Sequence, residues 1–177
     1  MSKEFLGNRS LMAQDKKGEF RKKLDSIVAR AQFLQVRAVE EDKDFGNAAK
    51  GYEKLAAESK DAEVRMKALN NAAVSYEKAG DRANERRIYE RILELDPENK
   101  QAERNLVGMG SEHFLSGRYE EAAESYEGFY KIYESKLGKV GADSQKMALE
   151  SLRSAALLRK ALNQNEKANE NFRKIVE

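Results

Sequence analysis

The 177-residue chain has no cysteine, which excludes a disulfide frame and any thiolate metal site, and leaves its redox compartment open. It has one proline and no tryptophan. No run of about 18 apolar residues occurs, so no segment is fit to span a membrane as a helix, and residues 1–20 lack the apolar core of a secretory signal. Nor is there an excess of one charge. The 33 basic and 31 acidic residues nearly cancel to a net +2, unlike the clear cationic surplus of a general nucleic-acid binder. A single histidine limits the metal and acid–base chemistry that the chain can carry.

What remains is 40% hydrophobic and 36% charged, rich in Ala, Glu, Lys, Arg and Leu, with β-branched residues never in a run. That mixture predicts an all-helical protein. The apolar residues also recur in phase. Met66, Leu69, Ala72, Ala73 and Tyr76 fall on one helical stripe, because steps of three and four stay on one face. Gly80 then ends the helix and Asp81 caps the next. There Ile88, Ile92 and Leu95 form a second stripe, which Pro97 stops. About 37 residues later the pattern returns, with Leu106, Met109, Gly110 and His113, a break at Gly117, then Ala122, Tyr126, Phe129 and Tyr133. A further copy runs through Leu149, Leu152, Ala155, Ala156, Ala168, Phe172 and Ile175. A fainter one places Phe45, Ala48, Tyr52 and Leu55 on a second helix, with its first helix somewhere in residues 17–41.

These residues resemble the tetratricopeptide repeat over roughly residues 29–177. Leu69, Ala72, Ala73, Tyr76 and Pro97 stand at family positions, and Arg159 and His113 stand where the family has tyrosine. Departures include Glu85 and Ile92 in place of alanines. The resemblance implies an α-solenoid of stacked antiparallel helical hairpins wound as a superhelix, with hairpins at about 17–59, 61–97, 99–137 and 142–177. Residues 1–16 are expected to form a flexible arm or a short helix. The segment after Tyr133, punctuated by Gly138 and Gly141, adds length between the third and fourth units.

Sites of chemistry are scarce. His113 lies on an inward stripe without a nucleophile or an orienting partner in sequence, so it is expected to be a hydrogen-bonded packing residue. "GMGSEH", 108–113, has neither the third glycine of a dinucleotide fingerprint nor the Gly-Lys-Ser/Thr of a phosphate loop. Close packing is the expected reason for Gly110. No catalytic residue, metal site or cofactor is expected. The run Lys16, Lys17, Arg21, Lys22 and Lys23 reads as a solvated helix start interrupted by Glu19. The arginines at 82, 86, 87 and 91 read as locally paired with Glu90 and Glu94.

The resemblance instead implies a concave wall, built by the first helix of each hairpin, that holds a peptide or helix of a partner. In that register the wall comprises Lys67, Asn70, Asn71, Val74 and Lys78, then Arg104, Ser111, Phe114 and Leu115, then Arg153, Leu157 and Lys160. Amides and cations beside apolar groups suit a peptide with some acidity and one or two apolar anchors. The subgroup that clamps a C-terminal carboxylate is a poor match, because Phe33 and Arg37 stand where its first lysine and asparagine belong and Gly108 replaces its arginine. The expected role is a non-catalytic adaptor or scaffold that binds protein rather than nucleic acid. The alternative is a structural segment that assembles with itself or with flanking repeats through its terminal helices, where Phe172 and Ile175 invite another surface.

Overall fold

A computed structural model of the protein describes residues 18–176; the expected arm at 1–16 lies outside them. Eight helices and no strand occur among the described residues: α1 Glu19–Glu41, α2 Phe45–Glu58, α3 Ala62–Ala79, α4 Arg82–Leu95, α5 Lys100–Leu115, α6 Tyr119–Tyr133, α7 Ala142–Ala161 and α8 Asn165–Val176. None of them is long and apolar enough to cross a membrane. The fold is all-α and of the α-solenoid kind, built from antiparallel helical hairpins in which chain neighbours pack on one another.

The punctuation is local chemistry. Gly80, at φ 71°, takes the left-handed conformation that closes α3, and its N–H and that of Asp81 bond back to the last turn. Asp81 Oδ1 then accepts the Asn84 N–H at 3.2 Å, capping α4 as expected. Asp44, Asp61 and Asn99 cap α2, α3 and α5 in the same way. Helix α4 stops at Leu95, two residues before Pro97.

The chain divides into two compact units, with the boundary between residues 85 and 86 in α4. In the first, α2 and α3 share a core of Ala48, Ala49, Tyr52, Leu55, Ala68, Leu69, Ala72, Ala73 and Tyr76, all buried. Small residues facing large ones let the two helices lie close. Helix α1 lies on α2, and Gly51 permits that approach: a Cβ there would come within 2.9 Å of Val36 Cγ2. Glu85, a departure from the family's alanine, is buried and paired with the exposed Arg82 guanidinium at 2.8 Å.

In the second unit α5 packs on α6, α6 on α7, and α7 on α8. Gly110 sits under the Tyr126 ring, which explains its lack of a side chain: an added Cβ would be 2.6 Å from Tyr126 Cε1. Tyr133, fully buried, places its hydroxyl 2.9 Å from both the Pro97 carbonyl and Glu103 Oε1. Burial and the neighbouring Glu103 carboxylate drive the hydroxyl far above its ordinary pKa. Lys100 stands 3.2 Å from the other Glu103 oxygen and donates to Ser144 Oγ at 3.0 Å. The segment between α6 and α7 is thereby tied down, because Glu98 also accepts the Gly141 N–H at 2.9 Å and Lys136 reaches the Leu93 carbonyl at 3.4 Å.

A recurring bridge was invisible in the sequence. Glu53, Glu90 and Glu127 recur every 37 residues on α2, α4 and α6. Tyr76, His113 and Arg159 hold the family's tyrosine position on α3, α5 and α7. In the first unit the Tyr76 hydroxyl hydrogen-bonds Glu53. In the second, Arg159 is 2% exposed and grips Glu127 with two N–H···O bonds of 2.9 and 2.7 Å. A third bond runs to Gln164 Oε1 at 2.7 Å, and Asn171 donates to Glu127 at 2.8 Å. Burial pushes the Glu127 carboxyl up, but hydrogen bonds from Arg159 and Asn171 and the Arg159 charge outweigh it, so the carboxyl lies below the ordinary glutamate range. His113 breaks the series. His113 was expected to be a hydrogen-bonded packing residue, but its Nδ1 is buried with no hydrogen-bond partner among the described residues, and Glu90 pairs with Arg86 at 2.8 Å instead.

Candidate interaction surface

Helix α3 carries its buried stripe on one side, so the residues beside that stripe are left for a neighbour or for solvent. Lys67, Val74 and Lys78 are exposed, and Asn70 and Asn71 are half-buried. The two lysines are already engaged. Lys67 Nζ lies 5.5 Å from the centre of the Phe33 ring, close enough for a cation–π contact. Lys78 Nζ is 2.7 Å from Glu40 Oε1 and 5.4 Å from the centre of the Phe45 ring. Glu40 also accepts the Tyr52 hydroxyl at 3.2 Å. Burial and the Glu40 carboxylate push that hydroxyl's pKa up, while Arg37 and a hydrogen bond from Asn71 pull it down.

Phe33, Arg37, Glu40, Tyr52, Lys67, Asn71 and Lys78 thus form one connected polar and aromatic face on α1, α2 and α3. Phe33 and Arg37, which stand in sequence at the clamp's first lysine and asparagine positions, both belong to this face, and so does Glu40, which no sequence motif singles out. The signal for Glu40 was an acid 38 residues before Lys78, about one repeat. An anion seeking a lysine here would have to compete with ring and carboxylate contacts that the first unit makes for itself.

In the second unit Arg104, Phe114 and Leu115 on α5, and Arg153, Leu157 and Lys160 on α7, are exposed. Arg104, Arg153 and Lys160 have no ion pair among the described residues. Ser111 is half-buried, donating to the Val107 carbonyl at 3.3 Å or sharing a bond of 3.1 Å with the Tyr126 hydroxyl. Phe114 leans on Tyr119 with ring centres 5.6 Å apart, whereas Leu115 is 83% exposed. Gly108 has open space where a side chain would begin. Of the arginines at 82, 86, 87 and 91, Arg86 bonds Glu90 four residues on at 2.8 Å, as expected, whereas Arg82 pairs with the buried Glu85.

Comparison with known proteins gives one family match: a model of the tetratricopeptide repeat fits residues 67–99. No curated protein matches the chain. Among solved structures, two of a Podosopora anserina protein described as a putative kinesin light chain with nearly identical TPR-like repeats, one of them a singly substituted variant, are similar. Each is 13% identical, covering 82% of this chain and 92% of its own, with a TM-score of 0.36. Tetratricopeptide repeats generally mediate protein–protein interaction or scaffolding.

Proposed function

The chain is a tetratricopeptide-repeat protein, its repeat matched at residues 67–99, and on that premise we propose that it is a non-catalytic adaptor or scaffold. It holds a peptide or helix of a partner against the wall made by the first helices of its hairpins. The observation that carries this reading is in the second unit, where Arg104, Arg153 and Lys160 are exposed cations without ion pairs among the described residues, beside exposed Phe114, Leu115 and Leu157. A surface that keeps cations unpaired beside apolar groups suits a segment with acidic residues around one or two apolar anchors. The wall of the first unit is of another kind: Lys67 and Lys78 are internally engaged, which leaves the Asn70 amide and the Val74 side chain as contact groups, with the Asn71 amide shared between a guest and the Tyr52 hydroxyl.

Selection from a random-peptide display library tests the reading. Enriched sequences should combine acidic and apolar residues. Binding to the best of them should weaken about tenfold in Arg104→Ala/Arg153→Ala and also in Asn71→Ala/Arg104→Ala, with helicity unchanged. No enrichment, or enriched peptides indifferent to both double variants, would contradict it.

A further inference from the structure

We infer that the outward face of α1 is a second docking surface, which takes a partner helix whose apolar stripe is edged by acidic side chains. Helix α1 contains no buried residue, although Leu24, Ile27, Val28, Phe33, Leu34, Val36 and Val39 lie within it. Its apolar residues divide between two faces. The inner one rests on α2, with Val36 against Gly51 and the Phe33 ring centre 5.9 Å from that of Tyr52. The outer face carries Leu24, Ile27, Ala31, Leu34 and Ala38. Ile27 is 65% exposed and Leu34 58%.

Those five residues are spaced three, four, three and four apart, the 3.5-residue period of a seam that pairs with another helix. A helix serving only its own core would show one apolar stripe and a polar back. Over Leu24 to Ala38 the seam runs about 21 Å, enough for roughly two heptads of contact.

The edges of the seam select the occupant. Lys23, Arg30 and Arg37, seven residues apart, line one edge, and Lys23 and Arg30 have no ion pair among the described residues. Arg37, at the border with the face that holds Tyr52, pairs with the exposed Glu41 at 3.2 Å. Val28 and Gln35 line the other edge, so it offers no acid. A second copy docked antiparallel would set the basic edge against itself, and one docked parallel would set it against Val28 and Gln35. Neither arrangement neutralises the cations. A foreign helix with Glu or Asp flanking a Leu or Ile stripe does both, covering the seam and pairing its basic edge. This surface is distinct from the wall assigned above, and its test does not depend on that wall.

The test uses two designed 21-residue helical peptides with Leu at both seam positions, flanked by Glu in one and by Lys in the other. Binding to the full chain is read by fluorescence anisotropy. The Glu peptide should bind at least about tenfold tighter at low salt, and the difference should shrink in 0.5 M salt, where the screening length is only about 4 Å. Ile27→Asp/Leu34→Asp should lose binding with its circular dichroism unchanged, and Lys23→Glu/Arg30→Glu should shift preference towards the Lys peptide. Failure of the Glu peptide to bind, equal binding of both peptides, or binding indifferent to the Ile27/Leu34 pair would overturn the proposal. So would a dimer in light scattering that Ile27→Asp/Leu34→Asp dissolves, which would make a second copy the occupant. Displacement of the Glu peptide by a peptide of residues 1–17 would equally overturn it, making the chain's own segment the occupant.

Discussion

Replacing Arg159 by methionine removes a cation that is 2% exposed and makes three side-chain hydrogen bonds, two of them to Glu127. Breaking a fully buried ion pair from one side costs about 3–5 kcal/mol, because the partner charge is left uncompensated. Here the Glu127 side chain keeps 27% of its exposure and the 2.8 Å bond from Asn171, so water and the amide relieve part of the loss. The expected destabilisation is therefore about 2–3 kcal/mol. Removing the orphaned charge as well, in Arg159→Met/Glu127→Leu, should recover at least about 1 kcal/mol of it, a coupling typical of residues in one network. The pH dependence has a definite sign. The folded carboxyl of Glu127 is held below its unfolded value of 4.5, so its contribution is present above that pH and disappears as pH falls through the lower folded value. The gap between wild type and Arg159→Met should accordingly narrow below pH 4.5. Urea titrations at pH 7 and pH 3.5 measure the gap, and hydrogen exchange should place the faster amides in residues 119–176. A gap under about 0.5 kcal/mol at pH 7, or a double variant as unstable as the sum of the singles, would show that Arg159 does not compensate the Glu127 charge.

Two glycines on α5 should respond in opposite ways. Gly110→Ala places a Cβ 2.6 Å from the Tyr126 ring and should cost about 1–3 kcal/mol, whereas Gly108→Ala meets open space and should stabilise by up to about 1 kcal/mol; paired melting curves decide. Tyr133→Phe leaves buried Glu103 Oε1 without its donor and should cost about 1–3 kcal/mol in urea titration. The raised pKa of Tyr133 means its stabilising effect is complete below the ordinary value of 10.0 and is lost as pH rises beyond it, so the difference between wild type and this variant should shrink in alkaline titrations.

The hairpin plan was legible in the sequence because its signals are local. Gly80, Asp81 and Pro97 act on their own turns, and the Ala-and-Tyr stripes need only helical spacing to be seen. Long-range polar pairs were not legible. Arg159 and Glu127 are 32 residues apart, and charged letters on a helix look solvated until the neighbouring helix is in place. The same holds for Lys67 over Phe33 and Lys78 on Glu40, which turn two expected partner-binding cations into internal contacts. The first helix was hard to phase for a different reason. Apolar residues on two of its faces blur any single stripe, and that blurring, read structurally, is what exposes its outer seam.

If the walls of the first helices receive the partner, a display-selected peptide should perturb amide chemical shifts chiefly at residues 67–78, 104–115 and 153–160. Shifts confined to α2, α4, α6 and α8, with those three segments silent, would rule out binding on the wall.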